Sequence, residues 1–260
     1  MQEFRRPRVI PCLLLRNNGL VKTVKFSNPT YLGDPRNILK IFNDKEADEL
    51  ALLDISATVE KRAPRMDLLR EVASECFMPL GYGGGVRRAR EVEEIISVGI
   101  EKVIINSAAV ETPELVEESA KAVGSQSIVA SLDVRKGRFT RRYEVFTQGG
   151  RKATGIDPVT CAKRMEDAGA GEILLTSVDR DGTMSGYDLD LIGMVARAVR
   201  VPLIACGGAR NVADLSAAVK AGSSAAGAGS MFVFQGRHRA VLISFPIPQD
   251  LSAVFGGKTL

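Results

Sequence analysis

The chain has 260 residues, 45% of them hydrophobic and 25% charged, with a formal net charge of +4. Its 35 basic residues are interspersed with 31 acidic ones, which argues against a dedicated nucleic-acid binder, because such proteins concentrate their basic residues. No secretory apolar segment follows the first residues, and no run reaches the roughly 18 apolar residues that a membrane span needs, so we expect a cytoplasmic globular protein.

Short apolar runs alternate with amphipathic, charged segments along the whole chain. The runs that predict strands are Val9–Leu15, Leu50–Ile55, Phe77–Leu80, Val103–Ile105, Ile128–Val134, Ile173–Leu175, Pro202–Ala205 and Ala225–Ala228. The segments that predict helices include Pro35–Asp48, Arg65–Cys76, Ala89–Val98, Thr112–Val123, Pro158–Ala168 and Leu189–Ala198. Continuous apolar runs are typical of buried parallel strands. Eight strand–helix units in this length predict one (β/α)₈ barrel.

The second half of the chain repeats the first at a constant offset, the 123 positions that separate Asp34 from Asp157. The same offset superposes Gly207-Gly208 on Gly84-Gly85 and Gly229-Ser230 on Asn106-Ser107. Long-period self-similarity of this kind indicates repeated structural units. We predict two half-barrels, about 1–124 and 125–245, followed by a tail at 246–260. They would close into one domain, because four units alone leave open sheet edges.

Turns rich in glycine and small polar residues follow four of the predicted strands. In (β/α)₈ barrels the loops after the strands build the active site, and glycine lets backbone N–H groups approach an anion closely. The sequence therefore predicts one phosphate cradle in each half, on opposite sides of the barrel mouth. The alternative is that these glycines only make tight turns. The turns are Gly83-Gly84-Gly85, Asn106-Ser107-Ala108, Gly207-Gly208 and Gly229-Ser230.

Four carboxylates are placed between the cradles. Asp54 ends the second predicted strand, Asp133 ends the fifth, and Asp179 and Asp181 follow the sixth. A strand-end carboxylate that faces a barrel mouth is a candidate general acid or base. Asp133 is the best candidate, because nothing local in its strand pairs with it. For Asp54 and Asp179 the favoured interpretation is that the carboxylate caps the following turn.

The thiols and the imidazole do not suggest a metal site. Four cysteines lie far apart without a CxxC pair, and the chain has one histidine, His238, in a basic, helix-like tail that we expect to be exposed. Reduced, buried thiols are the expected state. We predict neither a metal nor a cofactor.

The segment Gly171–Asp188, with the sequence GEILLTSVDRDGTMSGYD, is the most specific motif of the chain. Together with Leu53–Ala57, Gly83–Gly85 and Ile105–Val110, it resembles the cyclase subunit of imidazole glycerol phosphate synthase, and the similarity spans about residues 8–245. The resemblance implies a (β/α)₈ cyclase that takes ammonia from a glutaminase docked on the N-terminal face of the barrel. Ammonia would pass through the barrel to a bisphosphate substrate at the opposite face.

The resemblance also assigns roles to particular residues. It implies phosphate contacts at Gly84, Asn106, Ser107, Gly182, Gly208, Gly229 and Ser230. A charged gate would lie at the N-terminal mouth, formed by Arg8, Glu49, Lys102 and Glu172, although these charges could also form a simple salt-bridged plug. Lys22 is expected on a loop, with Phe26–Gly33, that could cover the site.

One departure from the family pattern bears directly on the chemistry. The family uses two catalytic aspartates, one after the first strand of each half. Asp133 fills the second position, but the first falls on Leu14. Loss of a general acid or base typically costs about 10²–10⁴-fold in rate, so ordinary cyclisation in histidine biosynthesis is in doubt.

Three stretches resemble a paralogous branch that accompanies sugar amidotransferases in bacterial surface-polysaccharide clusters: Val9–Leu15, Lys22–Phe26 and His238–Pro246. That resemblance implies a barrel that supplies ammonia for amidation of a sugar in lipopolysaccharide or O-antigen biosynthesis. The first alternative is a genuine cyclase in which Asp54 or Asp181 compensates for Leu14. The second is a non-catalytic scaffold that binds a phosphorylated ligand and activates the glutaminase.

Overall fold

The computed structural model describes residues 6–137 and 140–256, and eight parallel strands form its centre. We number these barrel strands β1 to β8. Their bounds are β1 Arg8–Arg16, β2 Leu50–Asp54, β3 Leu80–Gly83, β4 Lys102–Ile105, β5 Ile128–Lys136, β6 Glu172–Ser177, β7 Leu203–Cys206 and β8 Ala225–Ala228.

Every barrel strand pairs in parallel with the next, and the last pairs with the first. In the closing pair, Arg8 of β1 lies opposite Ala225 of β8. The two halves meet at β4 with β5 and at β8 with β1. The sheet therefore has no free edge among the eight strands, and the predicted (β/α)₈ barrel is confirmed.

Helices cover the outside of the barrel. Their bounds are α1 Pro35–Asp44, α2 Met66–Glu75, α3 Ala89–Ser97, α4 Ser107–Glu111, α5 Glu114–Val123, α6 Pro158–Asp167, α7 Leu189–Ala196, α8 Val212–Lys220, α9 Ser230–Val233 and α10 Pro248–Phe255. None of these helices is both long and apolar enough to cross a bilayer.

The Asp-Pro pair that recurs in both halves of the chain forms the start of a helix each time. The Asp34 carboxylate accepts hydrogen bonds from Arg36 N and Asn37 N at 3.0 and 3.4 Å, and Pro35 opens α1. Asp157 and Pro158 begin α6 in the same way. An aspartate cap satisfies backbone donors that have no partner inside the helix, and proline suits the first helical position because it lacks an N–H.

The third strand differs from its prediction by three residues. It runs over Leu80–Gly83 instead of Phe77–Leu80, and Phe77 is 87% exposed whereas Tyr82 is 1% exposed. Two glycines concealed the strand, because they carry no apolar side chain. The barrel requires a small residue at Gly83, since a Cβ there would lie 2.7 Å from the carbonyl oxygen of Ile104.

Other segments also differ from expectation. α1 ends four residues early, at Asp44. The expected loop is wrong: Lys22 lies in a strand, Gly19–Val24, which pairs with the extension of β1 and with Ser27–Gly33. On β5 the strand Tyr143–Thr147 pairs with the barrel in a similar way.

The predicted helix-like tail is wrong as well. Phe234–Gln235 pairs antiparallel with Ala240–Val241, and the exposed His238 lies in the loop between them. The chain then leads to α10. The hairpin forms because Gly236 and Arg239 adopt left-handed φ angles of 68° and 52°, which reverse the chain.

The core has two parts. The larger part fills the space between the barrel and the helices, where Phe42 of α1 is fully buried and packs edge-on against Phe245 with ring centroids 6.5 Å apart. The smaller part lies inside the barrel and comprises Ile10, Cys12, Ala51, Ile104, Val129, Leu174, Ile204 and Ala225.

Phe42→Ala and Phe77→Ala form a matched pair of variants that tests this layout. Phe42→Ala is expected to lower the free energy of unfolding by about 3–5 kcal/mol, because it leaves a cavity in the core. Phe77→Ala is expected to change it by less than about 0.5 kcal/mol, because the ring is exposed. Urea-induced unfolding measures both. Equal losses in the two variants would contradict the packing described here.

Candidate active site

A cavity of about 440 Å³ opens at the C-terminal ends of the barrel strands. Its walls include Leu14 of β1, Asp133 of β5 and Lys22 of the adjoining hairpin. The glycine turn after β3 and the Asn106-Ser107 turn after β4 line one side. Of the second predicted cradle, only Gly229 lines the cavity.

The first cradle is held by hydrogen bonds between neighbouring loops. Asn106 Nδ2 donates to the carbonyl oxygen of Ser131 at 2.9 Å. Ser107 Oγ donates to Asn106 Oδ1 at 3.1 Å and accepts from Gln148 N at 2.9 Å. Gly84 has a φ of 126°, and a Cβ there would lie 2.5 Å from the carbonyl oxygen of Asp54 at the end of β2. Glycine is therefore required at this turn.

The second cradle is built from turns after β6, β7 and β8. Gly182 and Gly208 have left-handed φ angles of 73° and 111°. A Cβ on Gly182 would lie 2.2 Å from the carbonyl oxygen of Thr23 in the hairpin strand, and one on Gly208 would lie 2.2 Å from that of Gly186. Gly229 is restricted by a side chain, since its Cβ would lie 2.8 Å from Lys22 Cε. The hairpin that carries Lys22 thus packs closely against the turns of Gly182 and Gly229, and the turn of Gly208 packs against the loop after β6.

Asp133 is a buried carboxyl at the end of β5 with an unusual protonation behaviour. It is 9% exposed, and it accepts no hydrogen bond from the described residues. Burial raises its pKa to about 7, with a further increase from Asp181 and an opposing effect of Arg135. A carboxyl that titrates near neutral pH can both donate and accept a proton, as general acid–base chemistry requires.

Leu14 occupies the position that corresponds to Asp133 in the first half of the barrel. Leu14 lies opposite Leu53 of β2, and Asp133 lies opposite Thr176 of β6. Leu53 and Thr176 are themselves separated by the 123-residue offset of the repeat. The cavity wall is therefore apolar at the place where symmetry would put a second carboxylate.

Asp181 forms a buried ion pair with Lys22 above the cavity. Lys22 Nζ lies 2.9 and 3.0 Å from the two carboxylate oxygens, and Thr23 Oγ1 donates to one of them at 3.2 Å. The Lys22 side chain is 4% exposed. This pair brings the hairpin of the first half onto the loop after β6, and it places a second carboxylate in the cavity with Asp133.

Asp54 and Asp179 are engaged in turns. Asp54 accepts from Ser56 N and Ala57 N at 3.2 and 3.1 Å and pairs with Arg62 at 3.1 Å. Asp179 accepts from the backbone N–H of Lys136 at 2.8 Å. Their oxygens already hold loops together, so they are poor candidates for proton transfer to a ligand.

A ring of four alternating charges closes the opposite end of the barrel. Arg8 contacts Glu49, and it contacts Glu172 at 2.6 Å. Lys102 contacts the same two carboxylates at 3.0 and 2.8 Å. Each cation thus bridges both acids, and we call this set the charged ring. The structure brings together all four residues of the predicted gate.

Among the described residues, an apolar cluster lies between the charged ring and the cavity. It includes the thiol of Cys12, and Cys206 packs against it. Contact with the Cys206 thiol and burial raise the pKa of Cys12 well above its usual range, so this thiol stays neutral. Among the described residues, the charged ring and the carboxylates of the cavity therefore lie on opposite sides of this apolar cluster.

Sequence reasoning missed several residues that shape the site. Arg62, which pairs with Asp54, and Gln148, which donates to Ser107, lie on loops whose paths only the fold determines. Thr23, which donates to Asp181, lies 158 residues away from it in the chain. No local pattern in the sequence could have identified these partners.

The raised pKa of Asp133 predicts a pH-dependent stability. Because the folded protein retains a proton that the unfolded chain releases near pH 4, stability falls as pH rises from about 4 to about 7. Asp133→Asn replaces this titrating carboxyl with an amide that does not ionise. Its unfolding free energy relative to the wild type should therefore be larger at pH 8 than at pH 5. Urea unfolding at both pH values measures the difference, and a difference independent of pH would contradict the assignment.

Comparison with known proteins agrees with this architecture. A family model described as "Histidine biosynthesis protein" matches residues 8–239. A Pseudomonas aeruginosa protein, provisionally named imidazole glycerol phosphate synthase subunit hisF2, is 51% identical over 93% of this chain and 96% of its own length. Two provisionally named relatives are each 47% identical: subunit HisF of Leptospira interrogans, over 96% of this chain and 99% of its own, and subunit hisF3 of Vibrio vulnificus, over 96% and 97%. The chain therefore belongs to the histidine biosynthesis protein family and is a HisF-like barrel.

Proposed function

We propose that this protein is the ammonia-channelling barrel subunit of a glutamine-dependent synthase, with a glutaminase docked on the N-terminal face. The observation that carries the proposal is the charged ring at the end of the barrel opposite the cavity. A plug of this kind is useful where a small molecule must enter the barrel while bulk water is kept out.

The uncharged interior supports the passage of ammonia. An ammonium ion would lose its hydration among Ile10, Leu174 and the neutral Cys12 thiol, which is costly without a counter-ion. Neutral ammonia avoids that cost. Entry requires a transient opening of the charged ring, which a docked partner can bring about by contacting Arg8 or Lys102.

The apolar Leu14 supports a specialised role. Ring closure needs an acid and a base on opposite sides of the substrate. The barrel is poorly equipped for it, because only one of the two corresponding positions, that of Asp133, carries a carboxyl. We propose that the ammonia serves amidation of a sugar in lipopolysaccharide or O-antigen biosynthesis, with a sugar amidotransferase as the third component. Gly84, Asn106 and Ser107 would bind a phosphoryl group of the ligand, and Gly182, Gly208, Gly229 and Ser230 another.

A second candidate is a genuine cyclase of histidine biosynthesis. The observation that favours it is Asp181, which lies in the same cavity as Asp133 and raises its pKa. In this alternative Asp181 and Lys22 would replace the missing acid. A third candidate, a scaffold that binds a phosphorylated ligand and activates the glutaminase, would need the cradles but neither Asp133 nor an open ring.

The reconstituted complex of barrel, glutaminase and sugar amidotransferase tests the proposal directly. With glutamine as nitrogen donor, ¹⁵N from the glutamine amide should appear in the sugar product even when unlabelled ammonium is present in the buffer. Full dilution of the label by bulk ammonium would contradict channelling.

Opening the charged ring is expected to uncouple the two activities. Lys102→Ala and Glu172→Ala should leave glutamine hydrolysis in place but release ammonia to solvent, because the ring no longer seals the barrel. The ratio of aminated product to glutamate measures the coupling, and circular dichroism verifies the fold. Lys121→Ala is the matched control, since it removes an exposed ion pair with Glu117. An unchanged ratio in both ring variants would reduce the ring to a structural plug.

Position 14 separates the first two candidates. The wild-type barrel with its glutaminase is not expected to rescue a histidine auxotroph that lacks its own cyclase. Leu14→Asp should raise turnover of the histidine-pathway bisphosphate by about 10²-fold or more, because it restores a carboxyl at the position that corresponds to Asp133 in the first half. The double variant Leu14→Asp with Asp133→Asn should lose that gain. Growth rescue by the wild type would favour the genuine cyclase.

A further inference from the structure

The hairpin near the C-terminus carries an arginine whose side chain contacts turns at the C-terminal end of the barrel. Arg239 ends the loop between Phe234–Gln235 and Ala240–Val241, and its N–H donates to the Gly236 carbonyl oxygen at 3.1 Å. Its backbone has a left-handed φ of 52°, and its side chain points toward Phe234. There the guanidinium carbon lies 4.6 Å from the centre of the Phe234 ring.

The guanidinium of Arg239 joins two turns of the second cradle. Nη1 donates to the carbonyl oxygen of Gly182 at 3.0 Å, and Nη2 donates to Ser230 Oγ at 3.4 Å. Gly182 follows β6 and Ser230 follows β8, so one side chain spans turns that lie 48 positions apart in the chain. The aromatic ring and these two contacts hold the guanidinium in a fixed orientation.

The positive charge of Arg239 is not neutralised by a carboxylate. Within residues 6–137 and 140–256, Arg239 forms no ion pair, although it is half-buried. Lys22 also lies at this cradle, with its Cε over Gly229, but Asp181 neutralises it. A half-buried charge without a counter-ion is costly unless an anion binds beside it.

We propose that Arg239 is an anion-binding residue of the second cradle and that it recognises a phosphoryl group of the ligand. The inference rests on the phosphate cradles of the proposed function and adds a residue that the resemblance did not supply. A guanidinium has five N–H donors, of which the turns use two. The remaining donors form a planar fork that suits the bidentate binding of phosphate oxygens.

The two cradles would then recognise their anions differently. At the first cradle the cations that line the cavity, Lys61, Arg87 and Arg151, are exposed and free to reorient. At the second cradle the guanidinium is oriented in advance, so less conformational entropy is lost on binding. The second cradle should therefore be the more selective for a phosphoryl group over other anions.

The test compares three single substitutions in the full-length chain. Arg239→Gln retains hydrogen-bond donors but removes the charge, Arg239→Lys retains the charge without the fork, and Arg237→Ala removes an exposed arginine of the same loop as a matched control. Isothermal titration with inorganic phosphate gives the affinity. Crystals soaked in tungstate locate the anions by anomalous scattering and distinguish the two cradles.

We expect the wild type and Arg237→Ala to hold an anion at each cradle. Arg239→Gln should lose about ten- to a hundredfold in affinity at the cradle of Gly208 and Ser230, because a charge-assisted hydrogen bond is lost there. The cradle of Gly84 should be unaffected. Arg239→Lys should lie between the wild type and Arg239→Gln, since it keeps the charge alone.

Two results would overturn the proposal. One is a phosphate affinity in Arg239→Gln that equals that of the wild type. Even with a lower melting temperature, this result would mean that the guanidinium only stabilises the fold. The other is a wild-type second cradle that stays without an anion at saturating phosphate. Failure of ammonia delivery in the reconstituted complex, with the Arg239 effect intact, would count against the proposed function alone.

Discussion

The pairing of β1 with β8 is the constraint on which the rest of the structure depends. Closure turns a row of strands into a ring, so residues far apart in the chain become neighbours at its two ends. Arg8, Lys102 and Glu172 start three different strands and Glu49 directly precedes a fourth. Closure brings them into contact as the charged ring. The same closure gathers the turns after the strands around one cavity at the other end.

Along the barrel axis, the side chains are charged at the N-terminal end, apolar in the middle and partly polar at the cavity. The charges of the ring are stable because each cation contacts two carboxylates, which offsets the cost of their partial burial. Next come the apolar cluster and the neutral Cys12 thiol, and after them Asp133. The same apolar surroundings that would admit ammonia also raise the pKa of Asp133, so passage and protonation depend on one property of the interior.

The two halves share a plan but differ at the residues that matter for chemistry. Asp133 faces the cavity in one half, and Leu14 lies at the corresponding register in the other. The anion cradles differ as well, because the hairpin with Lys22 and the tail with Arg239 both reach the second one. The two ends of the repeat are therefore not chemically equivalent at the cavity.

The sequence by itself determined the barrel, its helix starts and its glycine turns, because these depend on short-range physics. Alternating apolar runs predicted the parallel strands, Asp34-Pro35 and Asp157-Pro158 predicted two helix starts, and left-handed turns require glycine. The sequence-based prediction was wrong at β3, because Gly81 and Gly83 give this buried strand little apolar character. Only the tertiary structure decided that Arg62 engages Asp54, that Lys22 pairs with Asp181, and that Arg239 returns from the tail to Gly182. Each of these contacts joins separate loops, and burial and distance between such loops are set by closure of the whole ring.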